Sequence, residues 1–344
     1  MFDVITIGTA TRDVFLHSKG FRIVHDPKHL KRLGFPTGEV QAFALGAKLE
    51  VDTPVFTVGG GAANAAVTFA RQGFRTAALY KIGRADNHGQ AVLKDMKKEG
   101  VVSWAAFDAE KMTAYSVVLV APTGQRTILN YRGASEDMAK SNVPFSKLKA
   151  RWAYIVPGRI DLGVMLAVIK RLRANGTKIA MNPSAHYLEM GASRLRPLLK
   201  HLDLISVNRE EAAYLTGLPY AAEKKIFKWL DEWVSGIALM TDGPNGALVS
   251  DGKRLYEVSA LRARVVDTTG AGDAFGSAFV SALVREKPVS DGCYSEAAMR
   301  EAIRRALANS TSVVEYIGAQ PGILTKRQLS EKRWQHVPVR VHTL

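Results

Sequence analysis

Short apolar runs rich in β-branched residues alternate along this chain with longer stretches in which apolar positions recur every three to four residues. The first pattern predicts strands and the second predicts helices packed on them. Strands are expected at Val4–Gly8, Thr76–Ile82, Trp152–Val156, Lys178–Asn182, Leu204–Val207, Gly236–Thr241 and Ala247–Ser250. Helices are expected at Ala62–Gln72, Gln90–Glu99, Gly163–Ala174, Glu210–Thr216 and Ile226–Ser235, from Ala274 to Val284, and from Ser295 to about Tyr316. This βαβ rhythm predicts an α/β fold, a mostly parallel sheet covered by helices on both faces, with ligands bound at the carboxyl ends of the strands.

Two regions break the rhythm. Residues 13–57 carry charged and Pro/Gly-containing segments with few helical signals, and Lys19–Lys48 is long enough to hold an inserted helix or hairpin. Residues 113–133 read as two extended runs, Tyr115–Ala121 and Arg126–Tyr131, joined at Pro122-Thr123-Gly124, which is a hairpin signature. Read locally, both regions are surface insertions in one domain spanning 1–330, with 331–344 left as a tail.

Composition narrows the function classes. At 344 residues and 47% hydrophobic content the chain can bury a large core. Its single cysteine, Cys293, excludes a disulfide framework and a Cys-rich metal site and reads as a spectator thiol. The first eight residues read as a strand and turn, and no apolar run approaches the ~20 residues needed to span a bilayer. A soluble, cytoplasmic protein is expected. The formal charge of +15 is large, but the basic residues are scattered through helical stretches such as Lys94–Lys98 and Arg300–Arg305. A solvated basic surface is expected rather than a dedicated nucleic-acid groove.

The chemistry concentrates in Asp267-Thr268-Thr269-Gly270-Ala271-Gly272-Asp273-Ala274-Phe275, which follows Val265-Val266 and opens a small-residue helix. A helix N-terminus offers N–H groups without partners and the positive end of a dipole, so it favours anions. A carboxylate inside such a cradle makes sense where something loses a proton beside a phosphate, with Asp273 as the base. The local alternative is a tight turn with Asp273 as a helix cap. Neither the dinucleotide G-x-G-x-x-G nor the P-loop pattern fits.

This stretch resembles the C-terminal signature of the ribokinase/PfkB family of sugar and nucleoside kinases, D-T-x-G-A-G-D-x-F. A second family signature stands at Gly59-Gly60-Gly61-Ala62-Ala63-Asn64-Ala65-Ala66, and the resemblance runs from about Phe2 to Gln320. It implies a ribokinase-like three-layer αβα sandwich in which strands from the two irregular regions form a small β-lid that pairs between subunits of a homodimer. It implies ATP and Mg2+ as cofactors, with potassium as a further candidate. Asp273 then matches the catalytic base, and Gly270, Ala271 and Gly272 match the anion hole. Asp267 matches a position that supports a monovalent cation through nearby backbone, or else caps the turn.

Asn208-Arg209-Glu210-Glu211 resembles the family's N-x-x-E motif, in which Asn208 and Glu211 order magnesium, waters and phosphates; the same residues also read as a capping box. Thr241-Asp242-Gly243-Pro244-Asn245-Gly246 resembles the loop that holds the nucleotide, through Thr241, Gly243 and Gly246, and Asn309 falls where the family contacts adenine. On the acceptor side Asp13, Gly60, Gly61 and Asn64 match the group that binds sugar hydroxyls, although typical ribokinases carry a lysine where this chain has Gly61. A further departure is Arg159 in Val156-Pro157-Gly158-Arg159, which with Arg126 and Arg132 would suit a carboxylate or phosphate on the substrate or else lie in solvent. The leading expectation is an ATP-dependent kinase acting on a hydroxymethyl group of a sugar or sugar derivative. The alternatives are a nucleoside kinase of the same fold, which Phe15, Phe21, Phe35 and Phe43 in the lid region would favour, and a non-catalytic nucleotide- or sugar-binding regulator.

Overall fold

The computed structural model describes residues 1–35, 38–122, 125–289 and 293–343. Strand β1 (Phe2–Gly8) leads directly into β2 (Thr11–His17), the small hairpin β3 (Arg22–His25) and β4 (Glu39–Ala42) with helix α1 (Pro27–Arg32) between them, and β5 (Val55–Gly59). Then come α2 (Gly61–Arg71), β6 (Thr76–Gly83), α3 (Asn87–Lys98), β7 (Val102–Asp108), β8 (Tyr115–Val120) and β9 (Arg126–Tyr131). The middle of the chain supplies β10 (Ala150–Val156), α4 (Leu162–Ala174), β11 (Lys178–Met181), α5 (Ala185–Glu189), α6 (Ala192–Leu199), β12 (Leu204–Asn208), α7 (Arg209–Thr216) and α8 (Glu223–Trp233). The last elements are β13 (Ile237–Thr241), β14 (Ala247–Ser250), β15 (Arg254–Val258), α9 (Ala271–Leu283), α10 (Glu296–Val313) and β16 (Val339–Thr343).

Ten strands form one sheet in the order β16-β15-β14-β13-β12-β11-β10-β1-β6-β7, parallel from β13 to β7 and antiparallel at the β14–β16 end. The central strands are apolar on both faces because helices cover both: β6 is buried at every position. Helices α4 to α8 share one core with the sheet, and α2, α3, α9 and α10 cover the other face, giving three layers. Side-chain caps start several helices, with Asp86 accepting from Gly89 N at 2.7 Å and Asp161 from Gly163 N at 2.8 Å.

The second sheet, β5-β2-β8-β9, is the lid. It grows from the carboxyl end of β1 through only Thr9 and Ala10, so it sits over the edge of the main sheet where ligands bind. The long insertion holds both devices expected of it: helix α1, capped by Asp26, and the β3–β4 hairpin. The expected turn residues Thr123 and Gly124 lie outside the described residues.

Two differences from the sequence reading change the picture of the site and the chain's end. Helix α9 begins at Ala271, three residues before its expected start, because Gly270 takes the left-handed conformation (φ +78°) and turns the chain into the helix there. Asp273 therefore stands inside the first helical turn. The segment 331–343 is no tail: Trp334 packs into a buried cluster with Ala308, Leu324 and Leu329, and β16 extends the main sheet beyond β15.

Candidate active site

Asp13 lies in the middle of the lid sheet, paired across to Thr57 of β5 and Ser116 of β8. Thr11, two residues earlier on the same strand face, donates to its Oδ1 at 2.9 Å. Burial pushes the Asp13 pKa up, and hydrogen bonds from Ser116 and Thr11 and the Arg12 charge oppose the rise. Gly59 has to be glycine here, because a Cβ would stand 2.0 Å from Asp13 Oδ2. Below Asp13 lies a cavity of about 230 Å³ whose polar lining includes Thr9, Thr11, Ser116, Asn130, Arg132 and Thr269.

A second cavity of about 630 Å³ opens beside it. Leu261, Phe275, Leu307 and Val314 make one part apolar, while Thr241, Gly243, Gly246, Thr268 and Gly272 bring backbone to the other. An apolar slot suits a flat ring, and glycine backbone at a helix N-terminus suits phosphate. The loop Thr268–Gly272 is the wall between the two cavities: Thr268 and Gly272 face the larger and Thr269 the smaller.

Asp273 follows that loop in the first turn of α9 and itself lines neither cavity. Helices α2 and α9 pack side by side, and each starts after a glycine of positive φ (Gly60, +89°; Gly270, +78°), so two helix N-termini converge on it. Asn64 Nδ2 donates to Asp273 Oδ2 at 2.9 Å, and Gln320 Nε2 donates to Asn64 Oδ1 at 3.2 Å. An ionised carboxylate only accepts, so the acid itself selects the Nδ2 end of Asn64, and the Gln320 bond holds the other end of the amide in place. Burial raises the Asp273 pKa and the Asn64 bond opposes it.

Asn208 and Glu211 do form a capping box, with Asn208 Oδ1 accepting from Glu211 N at 2.8 Å and Glu211 Oε2 from Asn208 N at 2.9 Å. The Glu211 pKa is raised by burial and further by the charge of Asp273, while the hydrogen bond from Asn208 N opposes the rise. Arg209 anchors the Thr241–Gly246 loop through a 2.8 Å ion pair with Asp242, to which Tyr220 also donates at 2.6 Å. Asp267 accepts from Thr269 N (3.0 Å), Thr269 Oγ1 (2.7 Å) and Gly318 N (2.9 Å), and pairs with Arg126 Nη1 at 2.9 Å.

The structure does not bring every expected residue to the site. Asn309 is fully buried on the inner face of α10, donating to Ala274 O at 3.0 Å and accepting from Leu324 N at 2.8 Å. Its neighbours Leu307, Ser310, Thr311 and Val314 line the larger cavity instead. Arg159 faces away from the acceptor cavity and pairs with Glu136 at 3.6 Å in a separate open depression. Gly61 lines neither cavity; it lets α2 lie against Val156, whose Cγ1 would be 2.3 Å from a Cβ there. None of Phe15, Phe21, Phe35 and Phe43 lines the acceptor cavity, and Phe21 and Phe43 pack edge to face on each other. Gln320 was missed, although it stands in a loop the sequence resemblance reached.

The pfkB family model for carbohydrate kinases matches residues 36–326. The chain belongs to the pfkB family of carbohydrate kinases. This family membership makes it a phosphotransferase with an alcohol group as acceptor. A ribokinase of Lactococcus lactis is 27% identical over 268 residues, covering 77% of this chain and 82% of the relative. A probable chloroplastic fructokinase of Arabidopsis thaliana is 27% identical over 296 residues, covering 81% and 76%. Among solved structures, an Arabidopsis thaliana ribokinase complexed with ribose and ATP superposes with a TM-score of 0.73 at 22% identity, over 97% of this chain and 98% of that one. An adenosine kinase from Sinorhizobium meliloti reaches the same TM-score at 21% identity, over 93% and 96%, so the pfkB fold is shared by sugar and nucleoside kinases alike. No helix among the described residues is long and apolar enough to cross a membrane.

Proposed function

We propose that this pfkB kinase transfers the γ-phosphoryl of ATP to a hydroxymethyl group of a sugar or sugar derivative, with Asp273 as general base. The observation that carries the reading is that Asp273 directly follows the loop Thr268–Gly272, whose residues line a small hydroxyl-lined cavity through Thr269 and a larger cavity of apolar and glycine surface through Thr268, Ala271 and Gly272. In this reading the adenine enters beside Leu261, Phe275 and Leu307, and the phosphates lie along Gly243, Gly246 and the N-terminus of α9. Asp13 accepts hydroxyl protons from the sugar and so fixes its orientation. Asp273 takes the proton of the attacking hydroxyl; its raised pKa makes it a stronger base while Asn64 keeps it aimed and ionised. The Gly270, Ala271 and Gly272 backbone, at the positive end of the α9 dipole, receives the developing negative charge.

A magnesium ion arriving with the nucleotide would supply positive charge against the phosphates. Glu211 and Asn208 would hold it through water. The charge of Asp273 adds to the rise of the Glu211 pKa, and a cation beside Glu211 would offset it. Among the described residues there is no group of three or more His, Cys, Asp or Glu placed to hold a metal ion, which suits an ion that arrives with its nucleotide.

The acceptor cavity favours a sugar over a nucleoside. Its 230 Å³ falls below the ~300–1,000 Å³ typical of pockets for drug-sized ligands, and no aromatic side chain among the described residues lines it. The lid's outer strand β9 exposes Ile128, Leu129 and Tyr131 beside an open strand edge, which supports pairing of lids in a homodimer. A coupled ADP-release assay with ATP and Mg2+ across neutral sugars, sugar acids, phosphosugars and nucleosides tests the reading. Turnover with a sugar and not with nucleosides is the expected result; turnover with nucleosides alone overturns the sugar assignment. ATP binding with no acceptor-dependent turnover favours a regulator.

A further inference from the structure

A lid residue closes onto the same loop that separates the two cavities. Asp267 is 7% exposed, and burying a carboxylate is costly unless it is hydrogen-bonded and its charge is matched. Its three hydrogen bonds all come from the body of the protein: two from Thr269 and one from Gly318. Its charge partner, Arg126, comes from the first position of lid strand β9. On a strand, Arg126, Ile128 and Asn130 share a face, and Ile128 and Asn130 line the acceptor cavity. The strand face that covers the acceptor thus also carries the guanidinium that matches Asp267. A second lid strand bears on the same place, since a Cβ at Gly318 would stand 2.9 Å from Thr57 Cγ2 of β5.

We infer that Arg126 is a positioning residue that couples lid closure to assembly of the anion hole. With the lid down, Arg126 neutralises Asp267, and Asp267 in turn holds Thr269 and so the turn that aims the Gly270, Ala271 and Gly272 backbone. With the lid up, Asp267 keeps its hydrogen bonds but loses its charge partner, and the turn loosens. An acceptor that draws β9 down therefore completes the phosphoryl site only when it is present, which limits transfer to water. The guanidinium also stands where a monovalent cation serving Asp267 would otherwise be needed, so the wild-type chain needs none there.

This inference rests on the proposed kinase function, and its test is arranged to separate the two. Wild type, Arg126→Gln, Arg126→Lys and a charge control at a distant sheet edge, Arg340→Gln, are compared in potassium chloride and in tetramethylammonium chloride. Arg126→Gln is expected to lower kcat by about 10-fold or more, in the range of ordinary coupling energies, with the affinity for ATP nearly unchanged. Potassium should restore part of the loss, Arg126→Lys should restore more, and wild type should turn over equally in both salts. Equal kcat and KM in wild type and Arg126→Gln, or an equal loss in Arg340→Gln, overturns the inference. If the wild type phosphorylates no acceptor, the kinase reading fails and hydrogen exchange decides the latch. Faster exchange in both 126–131 and 267–273 of Arg126→Gln supports it, and unchanged exchange in either segment overturns it.

Discussion

Asn64 and Asp273, 209 residues apart in sequence, meet through a 2.9 Å hydrogen bond from the Asn64 amide to the acid. The bond exists because α2 and α9 run side by side from glycine turns, and Gln320 anchors the far end of the Asn64 amide. It lowers a pKa that burial raises. A general base works only when ionised, so activity falls as pH drops through its pKa. Replacing Asn64 with Ala removes the lowering contribution and should move the acid limb of kcat/KM to higher pH. Gln320→Leu should move it the same way by less, because the far end of the Asn64 amide is then no longer anchored. A pH–rate profile of the three proteins checks this; an unmoved limb in Asn64→Ala removes Asn64 from the account.

Asp273→Asn should cost about 10²–10⁴-fold in kcat, the usual contribution of a positioned base, while ATP still binds. It should not cost stability. The folded pKa lies above the unfolded one, so the ionised acid weighs against folding, and its contribution worsens as pH rises from the unfolded value up to the raised one and then levels off. At neutral pH the neutral Asn is expected to melt at or above the wild-type temperature. Thermal melts at a series of pH values should show the variant's advantage growing as pH rises from the ordinary carboxylate range.

Gly272 and Gly59 separate chemistry from folding. A Cβ at Gly272 would meet nothing within 4 Å and would project into the larger cavity, whereas one at Gly59 would collide with Asp13. Gly272→Ala is expected to fold as well as wild type, or better by about 1 kcal/mol from helix propensity, yet to bind ATP more weakly. Gly59→Ala is expected to raise KM for the acceptor and leave the affinity for ATP in place. Calorimetric titration with a non-hydrolysable ATP analogue, beside acceptor saturation curves, distinguishes the two.

Trp334 makes the C-terminal segment part of the core. It is buried against Ala308, Leu324 and Leu329 with Leu261 beside them, and Leu261 also lines the larger cavity. Trp334→Ala should cost about 3–5 kcal/mol, a typical loss for a buried aromatic. Denaturant melts check this, and a cost near zero would return the segment to a tail.

Much of this was legible in the sequence because it is local. The strand–helix alternation, the glycine turn before α9, the capping box at Asn208 and Glu211 and the hairpin around β8 and β9 all follow from residues within a few positions of each other. What was lost lies in long-range packing. Arg126 and Arg159 read alike in the sequence, as partners of a substrate anion or as solvated surface arginines, until the fold pairs Arg126 with Asp267 and Arg159 with Glu136. Two signals were present and passed over. Ala302, Ala306, Asn309 and Val313 recur at helical spacing and are all fully buried, so the period alone put Asn309 on the packed face of α10. Val337, Val339 and Val341 alternate as a strand does, and β16 forms there.

The central claim is that Asp273 moves the proton of an acceptor hydroxyl while the α9 N-terminus receives the phosphoryl charge. A single-turnover experiment with excess enzyme, Mg2+ and γ-labelled ATP, with and without the preferred sugar, tests it most directly when wild type is run beside Asp273→Asn. The account predicts label on the sugar's hydroxymethyl oxygen with wild type, almost none with Asp273→Asn, and little free phosphate without acceptor. Label transferred equally by both proteins, or released to water at the same rate without a sugar, would contradict it.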